Sequence, residues 1–143
     1  MNAVPVTILL IEDDPGHARL IEKNVRRAGV ANDITHVADG TTALAHLFER
    51  GERAKQDPML VLLDLNLPDM SGTEILSRIK ADPVLRRTPV IVLTTTDDRL
   101  EIQRCYDLGC NVYITKPVEY EGFAAAIRQL GLFLTVMQVP EPA

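Results

Sequence analysis

The segment MLVLLDLNLPDMSG, Met59–Gly72, sets an aspartate at the end of an unbroken apolar run. Leu60–Leu63 reads as a strand buried on both faces, the kind found inside a parallel sheet, because no polar residue interrupts the run. A carboxylate is costly to bury, so Asp64 is expected where the strand emerges. Pro68 and Gly72 mark a loop beyond it. In open α/β sheets, ligands bind outside the carboxyl ends of the strands. The position of Asp64 alone predicts a site.

Outward from this strand, short apolar runs alternate with amphipathic segments of helix length. Further strands are expected at Thr7–Ile11, Asp33–Val37, Val90–Leu93 and Val112–Thr115. Pro15–Ala28 carries Ala18, Ile21, Val25 and Ala28 at helical spacing, with Pro15 at its start and Gly29 as its stop. Thr41–Arg50 ends at Gly51. The run SGTE, Ser71–Glu74, predicts a capping box, after which Ile75, Leu76 and Ile79 face the sheet. Asp97 or Asp98 starts a fourth helix that closes near Gly109, and Glu119 to about Thr135 makes a fifth. Five βα units predict a doubly wound parallel sheet with helices on both faces, in a single domain over residues 1–143. The loop RGERAKQDPM, Arg50–Met59, is long and polar.

At 143 residues, 46% hydrophobic, 24% charged and with a net charge of −5, the composition is that of a soluble globular protein. The acidic balance and the lack of any basic run argue against nucleic acid as a partner. No apolar segment reaches the length of a membrane span, and the N-terminus lacks the basic region and small-residue cleavage site of a signal peptide, so a cytoplasmic location is expected. Cys105 and Cys110 have no second pair to complete a zinc site and are expected as free thiols.

The first strand also ends in acid, with Glu12, Asp13 and Asp14 straight after Ile11. Asp14, before Pro15, is expected as a helix N-cap. If the first and third strands are neighbours, Glu12, Asp13 and Asp64 converge at one edge of the sheet. Such a cluster of like charge calls for a cation, and oxygen ligands select a hard one, which points to Mg²⁺. The fourth strand ends on the hydroxyl of Thr94 and the fifth on Lys116. Acids, a metal, a hydroxyl and a lysine at one edge suit a phosphoryl group in transfer, with a carboxylate free to attack. His17, His36 and His46 are scattered and fit no pattern of base and nucleophile.

These motifs resemble the receiver domain of two-component response regulators, over about residues 6 to 131. LLIEDD resembles the family's acidic pair, carried here by Glu12 and Asp13. LLDLNLPDMSG resembles its phosphoacceptor motif, and VIVLTT and YITKP its conserved hydroxyl and lysine. The resemblance implies the flavodoxin-like strand order 2-1-3-4-5, phosphorylation of Asp64 by a histidine kinase, and Mg²⁺ held by Asp13, Asp64 and the backbone carbonyl of Asn66, with Glu12 helping directly or through water. It also implies Thr94 and Lys116 as phosphoryl-binding switch residues, Tyr113 as the aromatic that turns inward with them, and a cis bond before Pro117. Two positions depart from the common pattern: Glu12 stands where Asp is commoner, and Thr95 stands where many relatives have Ala or Gly. The long loop before Leu60 and the apolar C-terminal extension resemble stand-alone regulators paired with phytochrome-type histidine kinases.

The competing reading is a Mg²⁺-dependent phosphohydrolase that forms an aspartyl-phosphate. That class needs a second aspartate two residues after the nucleophile, and here the position is Asn66, which cannot shuttle a proton. A DNA-binding regulator is disfavoured because no helix-turn-helix pattern follows. From Leu130 to Met137 the last helix is apolar nearly all round. Leu132, Phe133 and Val136 therefore predict a homodimer through the C-terminal helix and extension, the alternative being a tail folded back over its own domain.

Overall fold

The computed structural model describes residues 6–49, 58–117, 119, 121–126 and 128. In chain order the elements are β1 (Thr7–Ile11), α1 (Pro15–Arg27), β2 (Ile34–Val37), α2 (Gly40–Phe48), β3 (Met59–Leu63) and α3 (Gly72–Ala81). They continue with a 3-10 turn (Leu85–Arg87), β4 (Val90–Thr94), α4 (Arg99–Leu108) and β5 (Val112–Thr115). Residues 121–126 are helical again. All strands are parallel, in the order β2-β1-β3-β4-β5, so the sheet is the expected flavodoxin-like one.

Alternation along the buried strands sends side chains to two separate cores. Leu9, Ile11, Val61, Leu63, Val90 and Val92 pack with Ala43, Leu47, Ile75, Leu76, Ile79 and Cys105 from α2, α3 and α4. Ile8, Leu10, Leu60, Leu62, Ile91 and Leu93 pack on the other face with Ala18, Ile21 and Val25 of α1 and with Phe123. The three inner strands are therefore buried on both sides, which is why their sequences show no polar alternation. Among the described residues, no helix is long and apolar enough to cross a membrane.

Element boundaries depart from the sequence expectations by a residue or two. β2 begins at Ile34 and β4 runs on to Thr94, while α2 begins at Gly40. The helix stop at Gly51, most of the polar loop, and the fifth helix beyond residue 128 lie outside the described residues, as do Leu132, Phe133 and Val136.

The capping box expected at Ser71 does not form. Ser71 accepts from Thr73 N, and the Glu74 side chain instead pairs with Arg78 one turn along, at 3.2 Å. The pair lies on the exposed face, where a carboxylate keeps its hydration, whereas reaching back to the cap would give that up.

Helix α4 ends as expected at Gly109, whose φ of 109° is readily reached only without a Cβ. Gly109 N donates to Tyr106 O and Cys110 N to Cys105 O, the bonding pattern of a Schellman motif. Its apolar contact positions are filled by the two cysteines. Both are free and buried, and burial pushes their thiols up to about 11 and about 12, so neither is a thiolate at neutral pH.

Candidate functional site

Parallel pairing puts Ile11 opposite Leu63, so the residues after each strand, Glu12 and Asp64, leave the sheet side by side. Asp64 N donates to Ile11 O at 3.0 Å, which carries the pairing past the end of β3. Carboxylate oxygens of Glu12, Asp13 and Asp64 all lie within 4.8 Å of one another. Glu12 is only 1% exposed and Asp64 5%, while Asp13 faces solvent.

Helix α3 presses its first residue against this turn. A Cβ on Gly72 would sit 2.5 Å from the Asp64 carbonyl oxygen, so the approach requires glycine. Asn66 N donates to Asp64 Oδ1 at 3.3 Å, and the Asn66 amide donates to the buried Thr94 hydroxyl at 3.3 Å. The β3–α3 loop is thereby tied to the end of β4.

The strand ends on the other side complete the set. Lys116 N donates to Thr94 O at 2.7 Å, and the Lys116–Pro117 bond is cis, as the family resemblance implied. The Lys116 ammonium pairs with Glu12 Oε1 and stands 3.7 Å from Asp64 Oδ2. Three carboxylates against one ammonium leave a formal excess of two negative charges. All donor atoms of the cluster are oxygens, and the exposed side at Asp13 leaves room for water. That donor set fits a hard divalent cation. Tyr113 is half-buried on β5, its hydroxyl donating to Thr96 O at 2.7 Å; desolvation pushes its pKa up to about 12, so it stays a neutral donor.

Glu12, Asp13, Asp64, Asn66, Thr94 and Lys116 thus lie at one edge of the sheet, with Tyr113 on β5 beside them. Asp14 is the N-cap of α1, accepting from His17 N at 3.0 Å, and that bond holds its carboxyl below the usual carboxylate range. Two histidines that sequence reasoning set aside also belong here. His36 Nε2 donates to the Glu12 carbonyl oxygen at 2.7 Å, and His17 Nδ1 lies 3.2 Å from Lys116 Nζ. The usable signal for His17 was its place in the first turn of a helix capped by Asp14, directly over the acidic edge. His36 gave none, since it reaches the site from the neighbouring strand.

A doubly wound sheet with acids, a hydroxyl and a lysine at its carboxyl edge defines a phosphoryl-handling α/β domain. Residues 8–128 match the response regulator receiver domain, and the chain belongs to that family, signalling proteins phosphorylated on an aspartate. Among curated proteins it is 39% identical over 113 residues to response regulator Rcp1 of Synechocystis, which covers 78% of this chain and 77% of that one. Its structure is similar to that of a response regulator receiver domain from Rhodospirillum rubrum, with 66% identity, a TM-score of 0.78, and 95% and 98% of the two chains covered. It is also similar to the phosphorylated cyanobacterial phytochrome response regulator RcpA, with 38% identity, a TM-score of 0.75, and 97% and 100% covered. A Mn²⁺-bound form of Rcp1 gives 34% identity and a TM-score of 0.72 over 97% and 100% of the chains. Family membership decides against the phosphohydrolase reading.

Proposed function

We propose that this chain accepts a phosphoryl group on Asp64 from the phosphohistidine of a histidine kinase of the phytochrome type, and that the modified domain presents an altered surface to its partner. The carrying observation is the Asp64 carboxylate at the end of β3, within 4.8 Å of the Glu12 and Asp13 oxygens and 3.7 Å from the Lys116 ammonium. The phytochrome assignment is supported by the similarity to RcpA, a phytochrome response regulator 38% identical to this chain.

In the transfer, an Asp64 oxygen attacks phosphorus, the P–N bond breaks, and its electron pair returns to the imidazole nitrogen of the donor. Glu12, Asp13, Asp64 and the carbonyl of Asn66 would hold Mg²⁺, which when bound would offset the excess negative charge and the charge of the phosphoryl oxygens. Lys116 neutralises another of those oxygens and Thr94 donates its hydroxyl proton to a third. The aspartyl phosphate draws Thr94 and Lys116 toward it, and Tyr113 follows the space that Thr94 vacates.

The deciding measurement is incorporation of acid-labile phosphate from phosphoramidate in Mg²⁺ and in chelator. Asp64→Asn should abolish it without unfolding the domain, and chelation should abolish it in the wild type. Incorporation at the wild-type rate in Asp64→Asn would reject Asp64 as the acceptor. Undiminished incorporation in chelator would reject the metal.

The reading includes a two-fold pairing through the apolar segment 130–137, which rests on the sequence pattern of Leu132, Phe133 and Val136. Sedimentation should give a dimer that Phe133→Glu dissociates. A wild-type monomer at micromolar concentration would end that part of the reading.

A further inference from the structure

An ammonium has three N–H donors and no acceptor, so the company of Lys116 can be counted. One donor is taken by Glu12 Oε1 and one points toward Asp64 Oδ2 at 3.7 Å. The third meets His17 Nδ1 at 3.2 Å. Because the lysine can only donate, Nδ1 is the acceptor in this contact.

The surroundings give this contact its importance. Behind the ammonium lies a hollow of about 270 Å³, lined by His17, Leu20, Ile21, Thr95, Lys116 and Pro117. A flexible four-carbon stem beside an open hollow has another place to put its charge, in water and away from the acids. Of the groups in contact with Nζ, only the His17 ring comes from the rim of this hollow, and it is held there by the first turn of α1, whose His17 N is bonded to the Asp14 cap.

We infer that His17 is a positioning residue for Lys116: its Nδ1 lone pair keeps the ammonium at the carboxylate edge, aimed at the place where the phosphoryl oxygens arrive. The inference rests on the reading that Lys116 anchors the phosphoryl group on Asp64. His17 itself touches neither the acceptor nor the phosphoryl group. It acts by reducing the orientations that the lysine must give up when the transfer occurs.

The test compares wild type, His17→Asn and His17→Leu. Asparagine places its amide oxygen where Nδ1 stands, so the acceptor is kept. Leucine keeps the apolar bulk and loses the acceptor. Both leave the backbone bond to Asp14 in place, and position 17 is exposed, so folding is spared. Phosphoramidate in Mg²⁺ is the donor, since it is too small to fill the hollow and does not report on docking. Phosphorylation should slow about 3- to 10-fold in His17→Leu, as for the loss of one charge-assisted hydrogen bond partly replaced by water, and recover in His17→Asn. In the unphosphorylated protein, the Lys116 ammonium ¹⁵N resonance should be visible through slow hydrogen exchange in wild type and His17→Asn, and broadened in His17→Leu. Equal rates in wild type and His17→Leu would overturn the positioning role alone, as would equal slowing in both variants. No phosphorylation of the wild type would overturn the Asp64 reading together with it.

Discussion

Lys116 and Lys80 both fold their stems into the protein, and their charged ends meet opposite company. The Lys116 side chain is 7% exposed, and its ammonium stands among carboxylates at the carboxyl edge of the sheet. Lys80, at the end of α3, donates to two neutral carbonyls, Arg86 O at 3.1 Å and Thr88 O at 2.7 Å, and its stem lies across Gly109. Burial pulls the Lys80 pKa below the usual lysine range, with the neighbouring Cys110 thiol opposing it only in part. Lys80 ties the chain after α3 to the entry of β4, a structural role complete in itself. The Lys116 site keeps a formal excess of two negative charges, which suits a divalent cation. The unbalanced charge sits at the candidate site, and the balanced polar contact sits where it joins two elements.

Paired substitutions test that distinction, and the largest effect falls on Lys116. In chelator, Lys116→Met leaves Glu12 buried without its partner and should cost about 3 kcal/mol. Mg²⁺ should recover much of that loss, because it binds the same acids. Hydrogen exchange around β4 and β5 should then respond little to phosphorylation. Lys80→Met leaves two carbonyls short of a donor and should cost about 1–2 kcal/mol. That loss should be the same with and without Mg²⁺, with phosphorylation at the wild-type rate. Denaturant unfolding of both variants in both conditions reads these differences directly. A loss in Lys116→Met that ignores Mg²⁺ would break the comparison.

The sequence carried most of the acidic edge because each of its residues ends a strand. Glu12 and Asp64 follow buried apolar strands, Thr94 ends one and Lys116 follows the half-buried β5, and a parallel sheet gathers such ends at one side. Helix stops were equally plain, since Gly109 and Gly29 hold positive φ. What stayed hidden were contacts between residues far apart in the chain and unremarkable in type. His17 lies 99 positions from Lys116 and His36 lies 24 from Glu12. The capping box misled for a local reason: Glu74 had two possible partners, and an exposed i, i+4 arginine took it. Periodicity says which face is buried. It does not say which of two polar partners a surface carboxylate takes.

Asp69 repeats the lysine contrast with the opposite sign, five residues after Asp64 and in the same loop. Its Oδ1 accepts from Gly40 N at 2.8 Å, and its Oδ2 accepts from Thr41 N at 2.8 Å and from the Thr41 hydroxyl at 2.6 Å. The N-terminus of α2, already capped by Asp39 at Thr42 N, is thus held to the β3–α3 loop. The Thr41 hydroxyl, then the Gly40 and Thr41 amides, push the Asp69 carboxyl down to about 2 from 3.8. A folded-state pKa below the unfolded one means that folding favours the charged form. Its stabilising contribution is therefore complete above about pH 4 and lost as pH falls toward about 2. Asparagine has one acceptor oxygen and turns an NH₂ toward the remaining donors, so Asp69→Asn should melt below wild type at neutral pH. The gap should close as pH falls through that window, while phosphoryl uptake at pH 7 should be unchanged. Melting temperatures of the two proteins from pH 7 to pH 2 provide the measurement. A gap that stays constant down to pH 2 would mean that the Asp69 charge does not hold the helix, and slowed phosphorylation would mean that this loop does not separate its structural aspartate from its reactive one.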